Sequence, residues 1–421
     1  MQEITHAGPL LRQVNSQSLL QLIIHAGPVT RVELARRSAL SKQTVSEIVR
    51  ELERAGWVRE TGRVHGRVGR SPVAYEFNPR SGFVIGVDLG GTKLRAGIAD
   101  LGGEVLHELV EPTDVRGGRH VIEQITALSR RLAALTEASW DAVRCVGIGS
   151  PGVPNPQTGV MDFAANIPVF GDLHVGEDLN ALLGVPVLLD NDVNMAVLGE
   201  HWQGLGQDSS DFVFVAIGTG VGMGLVVDDE IRRGARGAAG EICYLPLGAD
   251  AFDPANQVKG AFEEAAAGAG LVRRYVEAGG AKLGVPELFD AAANGDALAQ
   301  QVLDDEGRLI AQAVCAVASV LDPELVVLGG GIGSRPELLD PVRTWLGRLM
   351  LQPPEVHTSI LGHRASLIGA LALALRAAHR DLLGATSPVA PLVLPIPSND
   401  ITIASPTVAN TVANTESGST S

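Results

Sequence analysis

Apolar side chains recur at helical spacing over about residues 12–56 of this chain, and from Phe83 the repeat shortens to that of buried strands. Leu19, Leu20, Ile23 and Ile24 predict a helix over about residues 12–25, closed by Gly27 and Pro28. Thr30-Arg-Val-Glu33 has the form of a capping box and opens a short second helix that ends near Ser38. After Ala39-Leu40, Ser41 is placed to cap a third helix, in which Val45, Ile48, Val49 and Leu52 follow the i, i+3, i+4, i+7 pattern and Gly56 ends the run. Residues 57–59 and 73–77 then read as two strands.

The third helix leaves Ser41, Lys42, Gln43, Thr44, Ser46 and Arg50 on its polar side. Such side chains suit base edges and phosphates when a helix N-terminus enters a major groove. Helix order, turn and strands together predict a winged helix-turn-helix. Between its strands Arg63, Arg67 and Arg70 stand among glycines, as in a wing that enters a narrow minor groove. Without a ligand, the same residues would be a plain helical bundle with a solvated face and a solvated linker.

From Phe83 the pattern is strand, turn, strand: residues 83–87 are apolar, Asp88-Leu-Gly-Gly-Thr92-Lys93 is a tight turn, and residues 94–99 are apolar again. A Walker loop or a dinucleotide fingerprint needs a helix after the glycines, so both are excluded. The turn still offers backbone N–H groups and the Thr92 hydroxyl to phosphate oxygens, and Asp88 suits a water-bridged Mg²⁺; a hairpin without ligand is the alternative. A second glycine hairpin spans residues 212–227 around Gly218-Thr219-Gly220, which predicts two similar lobes facing one cleft. Between them a strand over residues 185–189 ends in Asp190-Asn191-Asp192 and leads into a helix over 193–204, an arrangement that aims polar groups into a cleft. A strand over 325–328 then runs into Gly329-Gly330-Gly331, where an adenine ring would find bare backbone.

Composition narrows the class. The chain has 421 residues, 45% of them hydrophobic, enough for two or three packed domains. It has no apolar run of membrane-spanning length and no basic-then-apolar leader, so a cytoplasmic location without membrane contact is expected. Cys145, Cys243 and Cys315 lie far apart without a CxxC pair and are expected to be buried, reduced thiols. Residues 1–82 hold 12 Lys and Arg against 7 Asp and Glu, a net of +5 within a total of −15, so the remainder carries −20. Positive charge is thus concentrated on the segment read as DNA-binding. Residues 386–421, rich in Ser, Thr, Pro, Asn and Val and without Lys or Arg, are expected to be a disordered tail.

DLGGTK, PGVPNPQTG, NDVNMAVLGE, GTGVGMGLV, GAAGE and LGGGI follow one another in an order that resembles the ROK family of repressors, sugar kinases and open reading frames. The resemblance spans about residues 12–380. It implies an N-terminal winged helix-turn-helix (residues 1–80) and an α/β actin/hexokinase-like, duplicated ribonuclease-H-like two-lobed domain (81–385), followed by the tail. It also implies that Asp88, Gly90, Gly91, Thr92, Lys93, Thr219 and Gly220 face ATP phosphates and Gly330 and Gly331 the adenosine. Asn166, Asn191, Asp192 and Glu241 would hydrogen-bond sugar hydroxyls, and Asp192 matches the general base of the family's kinases. Asp192 as a helix cap, and Glu241 in a salt bridge with Arg236, are the alternatives for these two.

One region departs from the family pattern. Where zinc-containing members read GExGH, this chain has Gly240-Glu241-Ile-Cys243-Tyr244, and where they carry CxCGxxGCxE it has residues 253–263 without a cysteine. No structural zinc is therefore expected; Tyr244 takes the place of the sugar-binding histidine and Glu263 is retained as a sugar contact. A winged helix before this domain is the arrangement of the family's repressors. The expected function is a sequence-specific transcriptional regulator of carbohydrate genes, controlled by a sugar or sugar derivative and acting as a homodimer or homotetramer on a palindromic double-stranded operator. Mg-ATP is a possible ligand and not a required one. The alternative is an ATP-dependent sugar kinase with or without DNA binding, and a scaffold without either activity is a third reading.

Overall fold

The computed structural model describes residues 7–63, 72–154, 161–162, 168 and 173–384. Its first unit comprises α1 (Ala7–Ala26), β1 (Val29–Thr30), α2 (Arg31–Ser38), α3 (Lys42–Arg54), β2 (Val58–Arg63) and β3 (Val73–Phe77). Thr30 caps α2 by accepting from the Glu33 N–H at 3.3 Å, and Ser41 caps α3 by accepting from the Thr44 N–H at 3.1 Å. Between the two helices Ala39 adopts a left-handed φ of 55°, which fixes the sharp turn at some cost for a residue with a Cβ. Two features were not visible in the period. α1 starts before the expected residue 12, and Val29–Thr30 pairs antiparallel with β3 to make a sheet of order β1-β3-β2. Two residues carry no periodic signal; only their partners Tyr75 and Ala74 make them a strand.

After the turn Pro79–Ser81, the first lobe contains β4 (Phe83–Leu89), β5 (Lys93–Asp100), β6 (Val105–Pro112), α4 (Gly118–Leu135), β7 (Val143–Ser150), the short pair β8 (Val153–Pro154) and β9 (Met161–Asp162), α5 (Val175–Leu183), β10 (Val187–Asn191) and α6 (Asp192–Gln203). The second contains β11 (Phe212–Ile217), β12 (Val221–Val227), β13 (Glu230–Ile231), α7 (Ala261–Ala266), α8 (Gly268–Glu277), α9 (Val285–Ala293), α10 (Ala297–Leu321), β14 (Leu325–Gly329), α11 (Gly330–Gly333), α12 (Pro336–Leu349), β15 (Glu355–Thr358) and α13 (Ala365–Leu383). The main sheets have orders β10-β7-β4-β5-β6 and β13-β12-β11-β14-β15. In each, a hairpin and a third antiparallel strand are followed by two parallel strands on the other side of the first strand. This repeat is the duplicated ribonuclease-H-like architecture, with a winged helix-turn-helix in front. No described helix is long and apolar enough to cross a membrane.

Alternation along the strands sorts the cores. Phe83, Ile85, Val87 and Leu89 of β4 point to a core shared with α4 and α5, while Val84 faces α13. In β11, Val213, Val215 and Ile217 face α10 and α12, and Phe212 and Phe214 face α6. α6 and α13 thus form a layer between the sheets. They cross at glycines so close that a Cβ on Gly199 would lie 2.1 Å from the Ala365 carbonyl oxygen, and one on Gly369 1.7 Å from that of Met195.

α13 also reaches the winged unit. Its Leu383 is buried with Leu19, Leu20, Leu52 and Val58, with Leu382 beside them, and His379 contacts the Leu101 carbonyl at 2.7 Å while meeting Phe77 edge-on. On the lobe side, the Arg144 guanidinium lies 5.1 Å from the Trp57 ring. The expected tail, residues 386–421, lies outside the described residues, as do Asn166, Arg67 and Arg70.

Candidate functional site

The first candidate surface is the outer side of α3. Because Val45, Ile48, Val49 and Leu52 are buried, the rotational setting of this helix is fixed and Lys42, Gln43 and Arg50 are exposed. Ser41 and Thr44 form the helix cap, with their hydroxyls 2.8 Å apart, so both are committed to the end of the helix. Ser46 is half-buried on the same side. Arg63 closes β2, and nothing is described of its side chain. Sequence reasoning passed over Glu47, which is exposed next to these residues and accepts from the Gln43 amide at 3.2 Å.

The second is the cleft between the lobes. Asp88 lies near the end of β4 and Asp192 opens α6 just after β10, so two strand ends deliver two carboxyls to one place. Burial, opposed in part by the Ser366 hydroxyl and Arg95, pushes Asp88 up to about 6. Burial and then the charge of Asp88 push Asp192 up to about 7, with Glu241 adding to the repulsion. The helix cap is not Asp192. It is Asn191, whose side-chain oxygen accepts from the N–H groups of Val193 at 2.9 Å and Asn194 at 3.3 Å and whose amide donates to the Gly152 carbonyl at 3.0 Å. The Asp192 carboxyl also accepts from the backbone N–H groups of Val193 and of its own residue, with Asp88 and Glu241 close enough for their charges to act on it. Asp190, not singled out in the sequence, is the buried support: it accepts from Asn194 at 3.0 Å and from Arg233 at 2.7 Å. Its position in Asp190-Asn191-Asp192 was the available signal.

In the second lobe Glu263 accepts from the Val221 N–H at 2.9 Å, and its carboxylate oxygen would lie 2.9 Å from a Cβ on Gly220, so it packs against the Thr219-Gly220 turn. Burial raises its carboxyl above the ordinary range, Glu241 contributing. Glu241 accepts from the Cys243 thiol at 3.5 Å, and among the described residues no ion pair joins it to Arg236. Burial and that carboxylate push the thiol up to about 12, so Cys243 is an inert packed side chain. Partial burial, and then Cys243, Glu241 and Glu263, raise the Tyr244 phenol above its ordinary range, although the side chain remains exposed. The three cysteines are free, Cys145 and Cys243 buried and Cys315 only partly so.

Gly330 needs its positive φ of 78°, and a Cβ there would meet the Ile217 carbonyl at 2.4 Å, whereas a Cβ on Gly331 would meet nothing within 4 Å. Backbone open to solvent therefore lies beside the second hairpin. On the first hairpin Gly91, Thr92 and Lys93 are exposed, and Gly90 is pinned through its carbonyl to the Thr113 hydroxyl at 2.7 Å. Residues 250–260 are held by side-chain turns, Asp250 accepting from Phe252 and Asp253 from Ala255, each at 2.9 Å. Among the described residues no group of three or more His, Cys, Asp and Glu side chains is arranged to hold a metal ion.

The ROK family model matches residues 84–377, and a MarR family model matches residues 17–68. The DNA-binding transcriptional dual regulator NagC of Escherichia coli is 27% identical over 89% of this chain and 95% of its own length. The xylose repressor of Caldicellulosiruptor bescii is 25% identical over 87% of this chain and 96% of its own. Coverage is not uniform: with a relative from Caldicellulosiruptor sp. strain Rt8B.4, 29% identical, the match spans 56% of this chain and 60% of that protein. Among solved structures, a ROK family glucokinase from Streptomyces griseus in complex with glucose and AMPPNP is 28% identical, with a TM-score of 0.59 over 70% of this chain and 99% of its own. By the match over residues 84–377 and the duplicated two-lobed fold, the chain belongs to the ROK family.

Proposed function

We propose that this protein is a sugar-responsive transcriptional repressor of carbohydrate genes. The observation that carries the reading is the course of α13, whose first turns lie against Asp88 and α6 and whose last residues are in the core of the winged unit. A ligand that changes the spacing of the lobes would move this helix against the DNA-binding unit and shift the population competent for the operator. Lys42, Gln43 and Arg50 supply base and phosphate contacts, with the wing arginines beyond Arg63 in support. Two recognition helices on a palindromic operator need a homodimer or homotetramer. The protein acts in the cytoplasm.

Asp192, Asn191, Glu241, Glu263 and Tyr244 are the proposed sugar contacts, joined by Asn166. The exposed hairpin residues Thr92, Lys93 and Thr219 and the open backbone at Gly331 fit a nucleotide, so Mg-ATP is a compatible ligand, with Asp88 beside its phosphates. Bound there, it would supply a transferable phosphoryl group. A second reading, a sugar kinase with a DNA-binding arm, is favoured by Asp192, a carboxyl that burial brings to about 7 and so suits proton uptake from a sugar hydroxyl. One experiment separates them: ADP release with Mg-ATP over a panel of pentoses, hexoses and N-acetylated sugars, and operator release by the same panel. Operator release by one sugar without turnover supports the sensor; turnover lost in Asp192→Asn makes the protein a kinase. Lys42→Ala with Gln43→Ala should abolish operator binding and leave any turnover intact.

A further inference from the structure

The glutamates of the winged unit are treated unequally. Glu33 is neutralised by Arg36 at 2.6 Å and Arg37 at 2.8 Å, Glu51 by Arg12, Glu53 by Arg31 at 3.9 Å and Glu76 by Arg59 at 2.8 Å. Glu60 accepts from the Tyr75 hydroxyl at 3.2 Å, away from the recognition helix. Among these described glutamates, Glu47 on the outer side of α3 enters no ion pair, its hydrogen bond being to the neutral Gln43 amide at 3.2 Å. The buried stripe of α3 prevents the helix from turning Glu47 away: residues 43, 46, 47 and 50 form the face opposite Val45, Ile48, Val49 and Leu52.

A carboxylate brought against DNA is repelled by the phosphates, so on this face it weakens every non-specific complex. In the major groove the only hydrogen-bond donors on base edges are the amino groups of cytosine N4 and adenine N6. Adenine sets its N7 lone pair next to that amino group, which repels a second carboxylate oxygen; cytosine presents a C5–H beside its amino group instead. Resting on the DNA-binding reading above, we propose that Glu47 is a specificity-determining residue that selects a cytosine in each operator half-site by accepting from its N4 amino group. The Gln43 amide holds one carboxylate oxygen, and the other accepts from the base. Arg50, one turn further along the same face, is placed for guanine O6 and N7 in the same or the adjoining pair.

The test is selection of binding sites from randomised duplex DNA by the full-length protein, beside Glu47→Ala and Glu47→Gln. Glu47 is exposed, and unchanged circular dichroism verifies the fold of both variants. The wild type is expected to enrich a repeated half-site with one C·G pair at which Glu47→Ala loses discrimination by roughly 5- to 100-fold while other positions keep theirs. Glu47→Gln should shift that position towards adenine, since an amide can both donate to N7 and accept from N6. Glu47→Ala should also bind unselected DNA more tightly at low salt. If both variants keep the wild-type preference at every position, Glu47 is only a helix-surface residue and the inference is overturned while the regulator reading stands. If the wild type itself enriches no sequence, the regulator reading fails and this inference with it.

Discussion

The crossing of α6 and α13 offers the sharpest test of the packing argument. Gly369→Ala places a methyl carbon 1.7 Å from the Met195 carbonyl oxygen, 2.6 Å from its carbon and 2.9 Å from the Gly199 nitrogen. Carbon and oxygen in contact need roughly 3.3 Å, so the helices must part by about 1.5 Å and lose dispersion contacts along their shared length. Overpacking of this kind costs about 1–3 kcal/mol and sometimes more, at an obstacle that here is backbone and cannot rotate aside. Working against it, alanine is about 1 kcal/mol better than glycine inside a helix. Because the obstacle is backbone, the upper end of that range applies, and after the offset we expect a net loss of about 2 kcal/mol, or roughly 4 °C in melting temperature for a domain of this size. Gly347→Ala in α12 is the matched control: nothing lies within 4 Å of its Cβ, so the same substitution should leave stability equal or raise it by up to about 1 kcal/mol. Thermal unfolding of both variants by circular dichroism, at one scan rate and concentration, makes the comparison. A Gly369→Ala protein that melts at or above the wild type refutes the reasoning.

Three further outcomes follow from the same structure. Asp192 has a folded pKa of about 7 against an ordinary 3.8, so the folded state keeps a proton that the unfolded chain releases and stability falls as pH rises from about 4 to about 7. Asp192→Asn should flatten that slope and raise stability at pH 8, read by urea unfolding at pH 5 and pH 8; an unchanged slope counts against a desolvated carboxyl. Leu383→Ala opens a cavity where α13 enters the winged core and should cost about 2–5 kcal/mol there, seen as faster proteolysis of the winged unit and operator binding that sugar no longer releases. Ala39→Gly relieves a left-handed φ of 55° in the turn before α3 and should stabilise the winged unit by about 1 kcal/mol, measured by its melting; a decrease would mean the Ala39 methyl is held by packing.

Much of this molecule was legible in its residues because short-range rules govern those parts. The caps Thr30 and Ser41, the stripe of Val45, Ile48, Val49 and Leu52, and the two glycine hairpins all depend on neighbours within a few positions, and all lie where the pattern placed them. The charge asymmetry and the absence of cysteine ligands in residues 253–263 are equally properties of the chain alone. What the sequence left open depends on partners far away. Val29–Thr30 is a strand only because Tyr75 and Ala74 are opposite it. That Asn191, accepting from the N–H groups of Val193 and Asn194, is the cap of α6, and that the helix starts one residue earlier than its apolar pattern, was likewise decided by the fold. That the charges of Asp88 and Glu241, more than 150 residues apart in the chain, both reach Asp192, that Glu241 also reaches Glu263, and that one helix links this cleft to the winged core, are consequences of close packing. Packing energy comes from the contacts of many side chains at once, and local periodicity holds no record of which distant surfaces will meet.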